Sequence, residues 1–296
     1  MITAGVIGAL RAQRLGVSDL KQQRFVILGA GSAGMGAASS LAKYMTLKCG
    51  LSKEEARARF WMVDVEGLLT TSRLQAGGKN LLPGQEKYLR TETHLDHADL
   101  LTVIREAKPT VLIGLTGVRG LITPEVCEEM AKLNNTPVIF AMSNPSDNAE
   151  CTAETAFTHT EGRAIFASVN HYETLRLPSG KVCVPNQADN MFIYPGLGLG
   201  ATVGKCKLIS PSMIVAATDA LVAEVGAEEL RVGMVYPDLS KIRQVSLKIA
   251  VAVIMQAMSE GLTSSDIQLM SHDEVYNLVQ SSMYGTDSYP AIVATK

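Results

Sequence analysis

Cysteine is scarce in this sequence, and its spacing suggests neither a crosslink nor a metal site. The five cysteines are odd in number and widely separated, and no two of them form a Cys-x-x-Cys pair. We therefore expect no disulfide framework and no zinc site, and a reducing compartment fits best. The predicted location is the cytoplasm, or an organelle if a targeting segment precedes residue 1.

A large net charge and a long apolar run are also lacking. The net charge is −2 at pH 7, which gives no reason to expect a nucleic-acid partner. The apolar stretch at residues 249–258 is interrupted by Gln256 and is far shorter than the roughly 20 residues that span a bilayer, so no membrane partner is expected. What the sequence does have is 47% hydrophobic residues, enough to bury a sizeable core and to exclude disorder.

Short apolar runs alternate with segments of helical periodicity through most of the chain. The predicted strands are Arg24–Leu28, Phe60–Val63, Thr110–Leu115, Pro137–Met142, Ala164–Ala167 and an edge strand at Val182–Val184. This alternation predicts an α/β fold, a Rossmann-type doubly wound parallel sheet with flanking helices and a helical C-terminal extension.

A glycine-rich turn follows the first predicted strand and opens the next helix. It reads Gly29-Ala30-Gly31-Ser32-Ala33-Gly34, a Gly-x-Gly-x-x-Gly pattern in the strand–turn–helix context that gives the pattern its meaning. Gly29 permits the tight turn, Gly31 lets the backbone approach a pyrophosphate, and Gly34 lets the helix pack closely on the strand. Because the helix amides then face the phosphates, all six residues are predicted to bind a dinucleotide.

Asp64 ends the second predicted strand, where a carboxylate can accept hydrogen bonds from both ribose hydroxyls of an adenosine. These features predict NAD as the cofactor, with NADP possible. The predicted organisation is an N-terminal helix in residues 1–22, a dinucleotide-binding Rossmann domain in residues 23–206, and C-terminal helices in residues 207–296 that pack on the same domain.

Several longer stretches resemble the malic enzyme family and together extend along essentially the whole chain. They are Phe25–Gly36 (FVILGAGSAGMG), Trp61–Leu69 (WMVDVEGLL), Val138–Cys151 (VIFAMSNPSDNAEC), Thr160–Ala164 (TEGRA), Asn190–Leu199 (NMFIYPGLGL), Val245–Ala250 (VSLKIA) and Ser282–Asp287 (SMYGTD). The resemblance implies oxidation of malate with NAD or NADP, followed by decarboxylation on Mg²⁺ or Mn²⁺ to give pyruvate. It also implies an enzyme that is usually a homo-oligomer.

The resemblance assigns roles to single residues as well. It implies that Thr116 and Gly117 lie near the nicotinamide half of the cofactor. Arg73 resembles a family position near the adenosine end, and the alternative is a generic surface arginine. Asn144 and Asn190 match asparagines that contact malate and cofactor. An amide suits that role because it can donate to a substrate carboxylate without adding a charge.

No catalytic residue and no metal ligand is expected within this chain. The general-base lysine, the general-acid tyrosine and the metal-binding carboxylates of the family lie upstream of the region that the chain resembles. We therefore expect a chain that begins just after the metal site, needs Mg²⁺ or Mn²⁺ only in the intact parent enzyme, and binds a dinucleotide but is inactive alone. His94 and His97 lie close to Asp96 and Asp99, but their surroundings indicate a solvated helix start and not a metal site.

Two departures from the family pattern leave other functions open. The turn after the strand ending near Ala167 reads Ser168–Tyr172 in place of a Gly-Ser-Pro-Phe-like sequence. Asp189 stands where a second asparagine is usual, and its carboxylate would repel a dicarboxylate substrate. The alternatives are a malolactic enzyme domain, which keeps the nicotinamide bound and yields lactate, and a non-catalytic dinucleotide-binding or regulatory module.

Charges near Asp64 bear on the choice between NAD and NADP. Glu66 lies two residues later, where NADP-dependent members of the family tend to carry a lysine, and its carboxylate would repel a 2′-phosphate. Arg73 and Lys79 are the nearby cations that would favour NADP if they reached that phosphate. The sequence therefore predicts a preference for NAD.

Overall fold

The computed structural model describes residues 1–75 and 81–285, and the chain divides into two compact units. The first comprises Met1–Asn190 with Val222–Asp238, and the second comprises Met191–Leu221 with Leu239–Lys296. The N-terminal helix therefore belongs to the same unit as the sheet.

Helices and short strands alternate through the first unit, and the second unit is helical. The helices are α1 (Ile2–Ala12), α2 (Ser32–Cys49), α3 (Lys53–Arg57), α4 (Ser72–Gln75), α5 (Leu100–Ala107), α6 (Pro124–Leu133), α7 (Ala153–Thr158), α8 (Tyr194–Val203), α9 (Pro211–Ala223), α10 (Ala227–Arg231), α11 (Ile242–Ser259) and α12 (His272–Ser282). The strands are β1 (Phe25–Leu28), β2 (Phe60–Asp64), β3 (Gly67–Leu68), β4 (Val111–Gly114), β5 (Val138–Ala141), β6 (Ile165–Ser168), β7 (Leu175–Arg176), β8 (Val182–Cys183) and β9 (Asn186–Gln187).

Seven strands form one mostly parallel sheet in the order β3-β2-β1-β4-β5-β6-β9. In the inner strand β1, Phe25 lies opposite Phe60 of β2 and Val111 of β4. The predicted Rossmann-type sheet is confirmed, with one correction. The short strand β3 runs antiparallel to β2, because the chain turns straight back after Asp64 and has no crossover helix there.

The edge strand predicted at Val182–Val184 is wrong in its placement. β8 pairs with β7 in a separate two-stranded antiparallel ribbon, and the edge of the main sheet is β9, parallel to β6. β9 is fixed by the buried side chain of Asn186, which donates to the carbonyl of Phe166 (3.0 Å) and accepts from the N–H of Val235 (2.7 Å). Because a side-chain network fixes this edge, apolar periodicity did not predict it.

The central strands are buried on both faces, which explains why they read as continuous apolar runs. Side chains on one face join a core that includes residues of α5, α6 and α7, among them Val26, Leu28, Leu112, Ile139, Phe166, Val103, Met130 and Phe157. Neighbouring side chains in β1 point to opposite faces, so Phe25 lies on the other side, stacked on Phe60 with ring centroids 4.9 Å apart. Two packed layers hold the strand ends, and the loops that follow them, in fixed positions.

In the second unit, α8 packs closely on α11 through small residues. A Cβ added to Gly196 would lie 2.7 Å from Cβ of Ile249, and one added to Gly200 would lie 2.8 Å from the carbonyl oxygen of Ala250. Periodicity did not predict α8, since Pro195 and the glycines resemble breakers; the proline lies in the first turn, where it is tolerated.

The helical stretch Leu239–Ser259 is long and apolar enough to cross a bilayer by length and composition. Core helices of globular proteins pass the same test, and the residues of α11 buried in a core with α12 include Leu247, Ala250, Val251 and Ile254. This stretch is longer than the apolar segment at residues 249–258 that the sequence indicated, and it begins ten residues earlier.

Candidate dinucleotide-binding site

The loops that follow the parallel strands lie along one edge of the sheet. Parallel strands bring their carboxyl ends together, so the glycine-rich turn after β1, Asp64 at the end of β2, Thr116 after β4 and Asn144 after β5 share this edge. Asn190 follows β9 at the far end of the same edge. The residues singled out in the sequence therefore come from neighbouring strand ends.

The three glycines of the turn are required for three different reasons. Gly29 has φ of +107°, and a Cβ there would lie 2.3 Å from the carbonyl oxygen of Leu115. A Cβ on Gly34 would lie 1.8 Å from the carbonyl oxygen of Gly29, so helix and strand approach too closely for any side chain. Around Gly31, in contrast, no atom of the described residues beyond its two chain neighbours lies within 4 Å of an added Cβ. Its bare backbone faces open space, as expected where a ligand approaches.

The helix that follows begins without a side-chain cap. α2 starts at Ser32 with Gly31 as its N-cap residue, and among the described residues this N-cap makes no side-chain hydrogen bond. Ser32 and Ala33 are exposed, whereas Ala30 is buried and its carbonyl accepts from the Nε2 of Gln85 (2.8 Å). The amides are thus available to an anion, with the helix dipole assisting. The buried side chain of Gln85, which no motif indicated, supports the glycine-rich turn through this hydrogen bond.

A cleft of about 700 Å³ opens beside this turn. Its lining residues are Leu28–Gly31, Val63–Gly67, His97–Leu100, Leu115, Thr116, Val118 and Leu121. The walls are largely apolar with a few polar groups, the usual character of a small-molecule site. The volume and its position over Gly31 and Asp64 fit the adenosine half of a dinucleotide.

Asp64 is held by Arg73 through two nearly parallel hydrogen bonds. Nη1 of Arg73 lies 2.7 Å from Oδ2, Nη2 lies 2.9 Å from Oδ1, and the N–H of Glu66 donates to Oδ1 (2.8 Å). A carboxylate offers about four lone-pair positions, so about one remains for a ribose hydroxyl. The expectation that Asp64 accepts from both hydroxyls did not include this arginine.

Glu66 lies near the ion pair of Asp64 and Arg73 and adds a second carboxylate to this end of the cleft. Its Oε2 lies 3.8 Å from Nη1 of Arg73, so two carboxylates face one guanidinium. The region that contains Lys79 lies outside the described residues.

His97 lines the cleft, although the sequence indicated only a solvated surface. Its side chain is exposed, and its Nδ1 lies 3.1 Å from the carbonyl oxygen of Glu66. Its φ of +59° is a left-handed backbone conformation, so His97 is not part of the helix that follows. α5 begins at Leu100. Its N-cap is Asp99, whose pKa is lowered because it accepts from the N–H of Thr102.

A buried carboxylate joins the next two loops of the edge. Glu150 is fully buried and accepts from the N–H of Thr116 (2.6 Å), from Oγ1 of Thr116 (2.8 Å) and from the hydroxyl of Ser143. Oγ of Ser143 in turn accepts from the N–H of Gly117 (2.8 Å). The predicted nicotinamide-side residues Thr116 and Gly117 are thus fastened to the turn that carries Asn144. Nothing in the sequence pattern singled out Glu150.

The two predicted substrate asparagines are both exposed at the edge of the sheet. Asn144 precedes Pro145 across a cis peptide bond, and Asn190 follows the half-buried Asp189. The described contacts do not join Asn144 to Asn190 directly. Their proposed role in substrate binding rests on position.

The turn after β6, which differs from the family pattern in sequence, makes contacts with neighbouring parts of the fold. Asn170 donates through Nδ2 to the carbonyl of Ser143 (2.9 Å), and Tyr172 packs edge-on against Phe166 with centroids 5.8 Å apart. His171 is exposed beside Glu173 (3.3 Å). This turn therefore supports the Ser143 loop, a function that its unusual sequence did not reveal.

The described residues do not fit a metal site. Within residues 1–75 and 81–285, no group of three or more histidine, cysteine, aspartate or glutamate side chains is arranged to hold a metal ion. The cysteines in this part of the chain are all free thiols.

Strand order, glycine geometry and the cleft at the carboxyl edge define a dinucleotide-binding domain of the Rossmann class. Residues 1–258 match the family model described as "Malic enzyme, NAD binding domain". The chain therefore belongs to the malic enzyme family, as the motifs predicted.

Individual relatives agree with this assignment. The chain is 43% identical to the NADP-dependent malic enzyme of Dictyostelium discoideum over 284 residues, which cover 96% of this chain and 50% of that protein. It is 34% identical to NAD-dependent malic enzyme 2, mitochondrial, of Arabidopsis thaliana over 290 residues, which cover 95% of this chain and 47% of that protein. The chain thus spans about half the length of the curated relatives it matches.

Solved malic enzyme structures share the fold. The enzyme from Entamoeba histolytica gives a TM-score of 0.72 at 21% identity, covering 94% of this chain and 50% of that one. The enzyme from Pyrococcus horikoshii Ot3 gives 0.68 at 24% identity, covering 95% of this chain and 57% of that one.

Proposed function

We propose that this chain is the cofactor-binding part of a malic enzyme that converts malate to pyruvate and CO₂ and reduces NAD. The observation that carries the proposal is the contrast among the three glycines. Gly29 and Gly34 are enforced by backbone contacts, whereas Gly31 faces open space at the start of an uncapped helix. Internal packing does not require a glycine at position 31, whereas the close approach of a pyrophosphate does.

The residues of the chain divide the binding of the cofactor among them. The turn Gly29–Gly34 binds the pyrophosphate, and Asp64, held by Arg73, accepts from the adenosine ribose. Thr116 and Gly117, fastened by Glu150, hold the nicotinamide half. When bound, the nicotinamide supplies hydride transfer. Asn144 and Asn190 donate to malate or pyruvate.

We propose NAD over NADP because, among the described residues at the ribose end of the cleft, two carboxylates face one guanidinium. The guanidinium of Arg73 faces the carboxylates of both Asp64 and Glu66. A 2′-phosphate would add further negative charge beside the two carboxylates. Relatives with NAD-dependent and with NADP-dependent names both match, so the local charges carry this choice.

Decarboxylation needs groups that the described residues do not provide. No group of three or more histidine, cysteine, aspartate or glutamate side chains in residues 1–75 and 81–285 is arranged to hold Mg²⁺ or Mn²⁺. We propose that the catalytic lysine, the tyrosine and the metal ligands belong to another part of a parent enzyme, a cytoplasmic homo-oligomer, and that the chain alone is inactive.

Two measurements test the proposal. Calorimetry on the 296-residue chain is expected to show NAD binding that does not change when EDTA is added. A malate oxidation assay with and without Mn²⁺ is expected to show no NADH above a control without enzyme. Absence of NAD binding would overturn the cofactor assignment, and NADH formation by protein free of host dehydrogenases would overturn the proposed inactivity.

A further inference from the structure

A second concavity, of about 350 Å³, lies on the surface of the first unit and shares no lining residue with the cofactor cleft. It is bounded by α2, α3 and the 3-10 turn Gln85–Tyr88. Lys43, which lines it, lies about 16 Å along α2 from Ser32 at 1.5 Å per residue. The basic end of the concavity is therefore distant from the glycine-rich turn, while its other end, at Met35, directly follows Gly34.

The lining of this concavity is strongly basic. Among the described residues, four cationic side chains contribute to it, Lys43, Lys53, Arg57 and Lys87, and no carboxylate does. The chain as a whole is slightly acidic, with a net charge of −2, so general composition does not account for the cluster.

Most of this positive charge is not balanced within the fold. Among the described residues, Lys43 and Lys53 have no carboxylate within ion-pair distance, and Lys87 has only Glu86, at the limit of 4.0 Å. Like charges gathered in one pocket repel each other, and a bound anion would relieve that repulsion.

We propose that this pocket binds a small organic phosphate that carries several negative charges, of the size of a nucleoside diphosphate. A guanidinium with ammonium groups is a donor set suited to phosphate oxygens, and the hydroxyls of Ser39 and Thr46 in the lining add neutral donors. The volume is at the lower end of small-molecule sites, which favours a compact ligand.

The pocket is physically connected to the cofactor site. Its wall at Gly84 and Lys87 belongs to the turn whose buried Gln85 donates to the carbonyl of Ala30. Occupancy of the pocket would therefore act on a segment that supports the glycine-rich turn.

The test uses the 296-residue chain saturated with NAD, so that the glycine-rich turn cannot take up the probe. Pyrophosphate is titrated into the original chain, into Lys43→Glu with Lys53→Glu, and into Lys207→Glu with Lys181→Glu as the control. Both pairs reverse two exposed lysines, and only the first pair lines the pocket. NAD affinity and circular dichroism are measured for each protein, which separates loss of folding or of cofactor binding from loss of this site.

We expect the pocket variant to lose about tenfold or more in pyrophosphate affinity, about 1.4 kcal/mol, while the control changes little. NAD binding is expected to persist in both variants. Equal pyrophosphate affinity in the three proteins would overturn the site. Citrate binding as tight as pyrophosphate would overturn the assignment to phosphates.

Discussion

The guanidinium of Arg73 and the carboxylate of Asp64 form a two-pronged ion pair at the mouth of the cofactor cleft, with N–O distances of 2.7 and 2.9 Å. Both side chains are mostly buried, at 12% and 19% exposure, so the pair is not merely a mobile surface contact. Its consequence is that Arg73 is committed to a carboxylate of its own chain. The arginine is therefore not a free cation awaiting a 2′-phosphate.

Cofactor choice follows from this pair together with Glu66. We expect NAD to bind the unmodified chain about tenfold or more tightly than NADP, a difference of about 1.4 kcal/mol. Glu66→Lys should narrow the gap, and more so at low salt, because the charges at the cleft mouth are partly screened. Calorimetric titration of both cofactors into both proteins makes the measurement.

Glu154→Lys makes the same charge change on an exposed position of α7 and serves as the control. Its ratio of NAD to NADP affinity should equal that of the unmodified chain. A preference for NADP in the unmodified chain would contradict the prediction and would identify Arg73 as a phosphate ligand that leaves Asp64.

Substitution of Gly31 should weaken cofactor binding without unfolding the protein. In the described part of the chain, the Cβ of Gly31→Val meets no atom within 4 Å beyond its chain neighbours, and the residue has φ of −75°, which valine adopts readily. The side chain would occupy the space of the pyrophosphate, so NAD affinity should fall at least about tenfold while the melting temperature stays the same. Calorimetry and thermal unfolding are the two measurements.

Gly36→Val is the matched control for that experiment, since Gly36 lies further along α2 and also faces open space. It should bind NAD normally. Gly34→Ala should differ from both, because its Cβ would meet the carbonyl oxygen of Gly29 at 1.8 Å and force the helix from the strand. Normal NAD binding by Gly31→Val would refute the assignment of this turn.

Much of this architecture follows from local sequence, and the remainder depends on contacts between distant residues. The strand–glycine–helix pattern predicted the turn correctly. Local sequence also explains the start of α3, where the N–H of Glu55 donates to Oγ of Ser52 (3.1 Å) in a capping box. Motif and periodicity did not reveal Glu150 or Gln85, because each acts on a loop that is distant in the sequence. The predicted substrate role of Asn144 and Asn190 stays a prediction.

Acid should weaken the polar cluster beneath the cleft. The pKa of Asp96 is lowered, chiefly by hydrogen bonds from the hydroxyls of Ser72 and Thr70, with His97 and Arg73 nearby contributing. Because the pKa of Asp96 is lower in the folded protein than in the unfolded chain, its carboxylate contributes to stability. This contribution is fully present above the unfolded pKa of about 3.9 and is lost as the pH falls through the folded pKa.

Thr70→Val removes one of these donors at a fully buried position. It should lower the free energy of unfolding by about 1–2 kcal/mol at pH 7, and the difference should shrink toward pH 3. Urea unfolding at both pH values is the measurement. Thr93→Val, at an exposed position outside this cluster, should change stability by less than about 0.5 kcal/mol. A Thr70→Val effect that is independent of pH would show that the hydroxyl acts through packing and not through Asp96.

Replacement of Glu150 tests whether the two central loops act as one unit. The carboxylate accepts from two groups of Thr116 and from Ser143, and a glutamine has one acceptor oxygen and would present N–H groups to the remaining donors. Glu150→Gln should therefore lower the free energy of unfolding by about 2–3 kcal/mol, the scale of buried charge-assisted hydrogen bonds.

Because the loop loosened by Glu150→Gln is the one proposed to hold the nicotinamide half, NAD affinity should fall several-fold while ADP affinity stays the same. Glu128→Gln on α6, whose carboxylate contacts only His159 among the described residues, should change neither. An equal loss for NAD and ADP would mean that Glu150 supports the whole cleft and has no particular relation to the nicotinamide end.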